Sequence, residues 1–551
     1  MANPLRPFQH VAGLRPRRSV FSNSYYKVFD CNLGQLIPVM ADFFMPGDHV
    51  RLGAEAVVRA NPLVAPIMHQ INLKVDYWAV PIRLLWPKPD YKDKDGNSLG
   101  YTPDISSWEE FITGGVTGDL EPVQPSWNPT VPLTGVGTLW DYMGMSLNVP
   151  PVGKKVVPWA KRAYQMIYNE YFRDQNMEDP VDLDDETLHK AKYEKDYFTS
   201  ALFETQRGTA PSIRLSGVTN AVFDPVLDNV TSHNVIWPGN VINATNLLYM
   251  RQQTGNAQML NSNNLTVGSE VNGAVRTYTP SGYAANLSNN NTVNLQNVGT
   301  FDVNDLRYIV AIQRHMERAM RAGSRLTEHI LAHWGVHNGD SRLQRPEYIG
   351  GIRSPVIISE VLQTSQTVGN QALGYMGGHG IAYDQSRVGS YFCTEECIIV
   401  GIMRLMPRAV YQQGINRQWL YETRFEYPTP ELVNLGEQEV YNMELVATNN
   451  GSHNADIFGY QGRYDEHRTK QNMVCGNLRN TVPAGLGFWH LARYFDINNP
   501  PALNKEFLEV TDDRRYSVVQ SMPGFIVTYG NRIRRVAPLP IVGTPGIMDH
   551  N

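Results

Sequence analysis

Ile71-Asn-Leu-Lys-Val-Asp-Tyr77 alternates apolar and polar side chains without a break. Ile67, Ile71, Leu73, Val75, Tyr77 and Ala79 fall on one face, and Gln70, Asn72, Lys74 and Asp76 on the other, the period of a strand with one buried face. Pro81 ends the run because it cannot donate to a ladder. His69 falls on the apolar side and reads as a partly buried, hydrogen-bonded histidine rather than a ligand. A second run, residues 397–405, is nearly all apolar (Ile398, Ile399, Val400, Ile402, Met403) and reads as a strand buried on both faces. A third strand is expected at 524–529. Strands so far apart in sequence imply a sheet assembled from distant segments, with long excursions between them.

Two excursions read as helical. Pro158 opens one, with Trp159, Ala163, Met166, Ile167 and Tyr171 near helical spacing. Asp302 caps the other, with Asp305 three residues on. Leu306, Ile309, Val310, Gln313, Met316 and Met320 form its stripe, and Gly323 stops it. Between the helices the composition changes. Residues 218–300 hold 17 asparagines but only five charges (Asp224, Asp228, Arg251, Glu270, Arg276) and no lysine. Such a segment favours turns and local side-chain bonds, and is too long for an ordinary connection. It is either a disordered linker or a surface insertion with short strands of its own. Val235, Ile236, Trp237, Leu247, Leu248 and Tyr249 favour the insertion.

The chain has 551 residues, 42 % of them hydrophobic and 18 % charged, which excludes a disordered polyelectrolyte and a coiled coil. Its formal charge of −5 excludes a bulk neutraliser of nucleic acid, so any polyanion contact must come from local patches. The N-terminal residues lack the apolar core of a secretory signal, and no apolar run approaches the length of a membrane span. The expectation is a protein folded in a cytoplasm without membrane insertion. Four scattered cysteines (Cys31, Cys393, Cys397, Cys475) read as reduced, buried thiols.

Residues 1–29 carry Arg6, Arg15, Arg17, Arg18 and Lys27 with no acid, and Pro4, Pro7 and Pro16 discourage a helix. This is a basic arm, either solvated or laid along a polyanion or a neighbouring subunit. Phe21, Tyr25, Tyr26 and Phe29 after it either stack on bases or begin a buried strand, the second being favoured. Further basic patches are Lys154/Lys155 with Lys161/Arg162, and Arg532/Arg534/Arg535.

Catalytic motifs fail on inspection. His329, His333 and His337 have helical metal spacing, but Ile330 stands where a zinc protease needs its glutamate, and Gly335 interrupts the helix. Gly374, Gly377, Gly378 and Gly380 read as a loop around His379 without a dinucleotide context. Asp512, Asp513, Arg514 and Arg515 read as a solvated turn of mixed charge. No catalytic residue, metal site or cofactor is expected.

Taken as ordered segments, the chain resembles the major capsid protein of small icosahedral single-stranded-DNA phages, the gokushovirus branch of the microviruses. The likeness runs through Phe44-Met-Pro-Gly-Asp48, Trp78-Ala-Val-Pro-Ile-Arg-Leu-Leu-Trp86, Arg162-Ala-Tyr-Gln-Met-Ile-Tyr-Asn-Glu-Tyr-Phe-Arg-Asp174 and Asp196-Tyr-Phe-Thr-Ser-Ala-Leu202. It continues in Arg342-Leu-Gln-Arg-Pro-Glu-Tyr-Ile-Gly-Gly351, Ser359-Glu-Val-Leu-Gln-Thr-Ser365, Gln413-Gly-Ile415, Asn434-Leu-Gly-Glu-Gln438 and Phe488-Trp-His-Leu-Ala-Arg493.

The resemblance implies a mainly β fold, an eight-stranded antiparallel jelly roll with long, partly helical insertions. It divides the chain into a basic arm (1–30), a first part of the jelly roll (31–217), an inserted module (218–300) and a second part (301–551). It implies sixty copies assembling through pentamers into a T=1 shell around circular single-stranded DNA, built in a bacterial host cytoplasm. Its partners would be a small basic DNA-binding phage protein, a scaffolding protein and a host-cell surface receptor. Arg6, Arg15, Arg17, Arg18 and Lys27 would face the nucleic acid. The inserted module would form a threefold protrusion and meet the host through Trp237, Asn240, Asn263, Asn264, Tyr283, Asn289 and Asn290. The competing expectations are a jelly-roll glycan-binding protein or glycan-active enzyme, and a metallohydrolase built on His329 and His333.

Overall fold

The computed structural model describes residues 18–85, 135–145, 159–207, 303–322, 331–332, 344–362, 376–483 and 485–542, and six short strands between 235 and 278. The chain divides into two units, Met1–Gly208 with Met316–Asn551, and Thr209–His315.

In the larger unit the strands are β1 (Ser19–Ser22), β2 (Tyr25–Cys31), β3 (Ile37–Phe44), β4 (His49–Ala60) and β5 (Ile71–Pro81). In the smaller unit β6 (Val235–Trp237) pairs with β7 (Asn240–Ile242), β8 (Tyr249–Arg251) with β9 (Ala257–Met259), and β10 (Val267–Val271) with β11 (Ala274–Tyr278). The larger unit resumes with β12 (Glu347–Leu362), β13 (Met376–Phe392), β14 (Cys397–Pro407), β15 (Glu437–Tyr441), β16 (Ile457–Gly462) and β17 (Phe525–Ala537).

Eight of these strands form a jelly roll. One sheet runs β2-β17-β4-β13 and the other β3-β14-β5-β12, every pair antiparallel. The long strand β12 belongs to both sheets: Glu347–Val356 pairs with β5, and Ile357–Leu362 pairs with β13. β1 extends the first sheet along the second half of β17. The great excursions are residues 82–346 and 408–524, both leaving the corners of the roll, where loops can lengthen without disturbing the core.

The two sheets meet through alternating inward side chains, as a sandwich requires. From β4 these are Val50, Leu52, Ala54, Ala56 and Val58, and from β17 Phe525, Val527, Tyr529 and Ile533, all buried. Tyr77 on β5 crosses toward Tyr529, and its ring needs room on the neighbouring strand. That room is Gly401, where a Cβ would stand 2.6 Å from the Tyr77 ring. Each large side chain buried here stabilises the fold by roughly 1.5–3 kcal/mol.

The sheets differ on their outer faces. The β3-β14-β5-β12 sheet is covered by the first insertion: Trp78 packs against Tyr171 and Phe172, and Arg404 lies over Phe172. That cover buries β14 on both faces, as its apolar run predicts. On β17 the inward residues alternate with Ile526, Thr528, Arg532 and Arg534, which are exposed, and the outer face of its sheet is open to solvent.

The expected helices occur at Trp159–Ile167, continued by one π turn through Phe172, and at Val303–Ala322. Several expectations need correction. β5 begins at Ile71, so Ile67 is buried ahead of the strand, and β17 runs eight residues past Tyr529. The glycines Gly377, Gly378 and Gly380 belong to strand β13, where a Cβ at Gly378 would strike the Ala65 carbonyl at 2.7 Å. Residues 19–31, assigned largely to the arm, are strands β1 and β2 of the roll. Phe21, Tyr25, Tyr26 and Phe29 do begin a strand region, but Tyr26 is 74 % exposed because it sits on the open face.

Candidate nucleic-acid interface

Of the five arm residues, Arg6, Arg15 and Arg17 lie outside the described residues. Arg18 is exposed just before β1, with its guanidinium 5.9 Å from the Phe392 ring centre. Lys27 is on the inward side of β2. Its ammonium donates to the Tyr142 and Pro38 carbonyls at 2.5 and 3.2 Å. Burial pushes its pKa down to about 8, against the pull of Asp42 and Asp141. Its charge is held within the subunit.

The other basic patches separate in the same way. Lys154 and Lys155 lie outside the described residues. Lys161 and Arg162 turn inward from their helix: Arg162 donates through Nε and Nη2 to Asp184 at 2.8 Å each and through Nη1 to the Leu85 carbonyl at 3.2 Å. Lys161 lies 3.6 Å from Glu186 and 3.8 Å from Asp184. Burial opposes ionisation of Asp184, but the Arg162 hydrogen bonds and the two positive charges outweigh it and hold its carboxyl below the usual range. Arg535 pairs at 2.5 Å with the fully buried Asp48 and covers the Phe44 ring. Arg532 and Arg534 remain outward. The fold brings them beside Arg51 and Arg387, which are too distant in sequence to be read with them.

Among the expected attachment residues, Trp237 and Asn240 are direct partners in the β6–β7 ribbon. Asn263, Asn264, Tyr283, Asn289 and Asn290 lie outside the described residues, as do His329, His333 and His337. Among the described residues no group of three or more His, Cys, Asp or Glu could hold a metal. Cys31, Cys393 and Cys397 are buried thiols, whereas Cys475 is exposed, contrary to expectation. His69 donates through Nε2 to the Arg408 carbonyl at 2.8 Å and is partly buried, as expected, although it precedes the strand.

The 512–515 turn is solvated only in part: Asp513 is exposed and pairs with Arg515 at 3.0 Å, but its neighbours are bound to the core. Asp512 accepts from the Leu33 amide and the Tyr516 hydroxyl, and Arg515 donates to the His490 and Ala492 carbonyls. Sequence reasoning also missed an exposed apolar set on the second insertion: Trp419 (74 % exposed), Leu435, Phe425 and Tyr427. Large aromatic side chains held in water suit a surface that another subunit covers. No described helix is long and apolar enough to cross a membrane.

The family model for the capsid protein (F protein) matches residues 9–547. The chain is 29 % identical to capsid protein VP1 of Chlamydia phage 1, covering 98 % of this chain and 97 % of that one. It is 27 % identical to capsid protein VP1 of Bdellovibrio phage phiMH2K, over 98 % and 97 %. Against capsid protein VP1 of Spiroplasma virus 4 the identity is 28 %, over 94 % and 93 %. These relatives are named as capsid proteins and none as an enzyme, in agreement with the resemblance drawn from the ordered segments.

Proposed function

The chain belongs to the phage capsid protein (F protein) family, and on that premise we propose that sixty copies close through pentamers into a T=1 shell around circular single-stranded DNA. The protein is a structural capsid protein and a virion component. The observation that carries the finer reading is the eight-stranded roll with two long insertions, matched to the family over nearly its whole length. Closed symmetry repeats each modest contact sixty times, so exposed aromatic patches add to the stability of the shell on assembly.

In this reading Arg6, Arg15, Arg17 and Arg18 face inward and bind phosphates without reading sequence. Lys27, whose ammonium serves two carbonyls, has no part in it. A net charge of −5 cannot neutralise a genome, so polyamines, divalent ions or a small basic packaged protein share that task. The last is what the family resemblance implies, as it implies a scaffolding protein that guides assembly in the host cytoplasm. The 218–300 insertion projects at the threefold axes and meets the host receptor; its uncharged, asparagine-rich composition suits a solvated, variable tip.

Deleting residues 225–295 tests the insertion: shells of normal yield that no longer infect are expected, and insoluble subunits would contradict the reading. Reversing Arg15, Arg17 and Arg18 to glutamate tests the arm. The expected result is less DNA per shell at similar shell yield, and an unchanged ratio would remove the arm from the account.

A further inference from the structure

The open face of the β2-β17-β4-β13 sheet carries a groove of about 580 Å³ with an unbalanced charge. Arg51 of β4 stands directly opposite Arg534 of β17, and Gly53 lies between Arg532 of β17 and Arg387 of β13. Val20, Phe21, Ser22 and Ser24, with Leu52 and Ile533, form the remaining lining. Gly53 offers no side chain, so the floor between the two flanking arginines stays open. Of the four guanidinium groups, only Arg532 meets a carboxylate among the described residues, Glu55 at 2.8 Å. Arg51, Arg387 and Arg534 make no side-chain hydrogen bond or ion pair among the described residues.

Like charges placed directly opposite across a ladder destabilise it. The arrangement is therefore unfavourable in the free subunit and favourable with an anion in the groove. All four cations are arginines, whose planar fork matches phosphate oxygens in pairs. Two tyrosines share the same face: Tyr26 opposite Gly530, and Tyr383 opposite Val57, both exposed. A basic groove flanked by exposed rings is the pattern of sites that hold single strands, with phosphates on the cations and bases on the rings. Arg18, the one described residue of the basic arm ahead of the strands, immediately precedes β1, which lines the groove.

We propose that this sheet face is a single-stranded nucleic-acid site in which Arg51, Arg387, Arg532 and Arg534 hold phosphates while Tyr26 and Tyr383 stack on bases. The inference rests on the genome-enclosing reading and gives it a second contact surface besides the arm.

The test uses the full chain with Arg51→Gln, Arg387→Gln and Arg534→Gln together, leaving the Arg532–Glu55 pair intact, and a labelled oligothymidylate as probe. Thermal unfolding first establishes that the variant folds like the wild type. Affinity should fall at least tenfold at 0.1 M salt. The slope of log affinity against log salt should flatten by about 2, because each phosphate left without its arginine takes roughly 0.7 from it. Tyr26→Ala should weaken binding about fivefold or more with the slope unchanged. Particles of the triple variant should form at normal yield with less nucleic acid. A folded triple variant with wild-type affinity and slope overturns the site, as does one that binds normally but no longer assembles, since the face would then be a subunit contact. Wild-type protein that neither assembles nor carries nucleic acid would instead overturn the genome-enclosing reading itself.

Discussion

The hydroxyls of Tyr77 and Tyr529 meet at 2.7 Å between the two sheets, in the middle of an otherwise apolar core. Tyr77 also donates to Asn531 Oδ1 at 3.1 Å, and Asn531 Nδ2 donates to the Val39 carbonyl at 2.9 Å. The chain of bonds joins β17 of one sheet to β5 and β3 of the other, and it satisfies every member, which a buried polar network requires.

Breaking it at different points should cost different amounts. Tyr529→Phe leaves Tyr77 bonded to Asn531 and should destabilise the unassembled subunit by about 1 kcal/mol. Asn531→Leu strips the Val39 carbonyl of this side-chain donor and crowds Tyr77, so a loss of about 2–3 kcal/mol is expected. Urea unfolding of both variants checks the order.

The pair Arg162–Asp184 predicts a second asymmetry. Arg162 is fully buried, whereas the Asp184 side chain is 46 % exposed. Asp184→Asn leaves a guanidinium buried without its carboxylate and should cost about 3 kcal/mol or more. Arg162→Met leaves a carboxylate that water and Lys161 can serve, and should cost less. Equal losses in the two variants would contradict the assignment of the buried partner.

His189 makes stability depend on pH. It is buried, stacked 3.8 Å from the Tyr168 ring centre, and its Nε2 bonds Gln165 Oε1 at 2.7 Å. Burial lowers its pKa to about 4, with Asp185 and Glu178 opposing and Lys505 and Lys192 assisting. Between that value and about 6.5 the unfolded chain binds the proton and the folded chain does not, so stability falls as pH drops through this window. Below about 4 both states are protonated and the contribution stays constant. The full effect is at most about 3 kcal/mol. His189→Gln should reduce the slope of unfolding free energy between pH 6.5 and 4. The part that remains is due to His69, whose pKa burial also lowers to about 4, and to His490, whose pKa burial lowers as well.

Much of the roll was legible because its strands announce themselves by period. β14 is apolar throughout and buried throughout, whereas β5 alternates in sequence but not in burial: Asn72, Trp78 and Val80 are buried and Lys74 and Asp76 half-buried, because the outer face of its sheet is covered too. β17 was only half legible: Arg532, Arg534 and Arg535 read as a patch, and the alternation through Asn531 and Ile533 that makes them part of a strand is interrupted by a buried polar residue. Charge was the least legible quantity. Lys161, Arg162 and Arg535 look like surface cations until the fold supplies Asp184, Glu186 and Asp48, and the groove at Arg51 and Arg387 exists only once β4, β13 and β17 lie side by side. Pairing between distant segments leaves no mark on composition.

The central claim is a closed shell of sixty subunits, and the mass of the native particle tests it most directly. Sixty chains of 62.1 kDa amount to about 3,700 kDa of protein. Sedimentation of purified particles, read by absorbance at two wavelengths, should give one species of that protein mass carrying a nucleic-acid signature. A monodisperse monomer or small oligomer, persisting when the protein is produced together with its phage partners, would contradict the account.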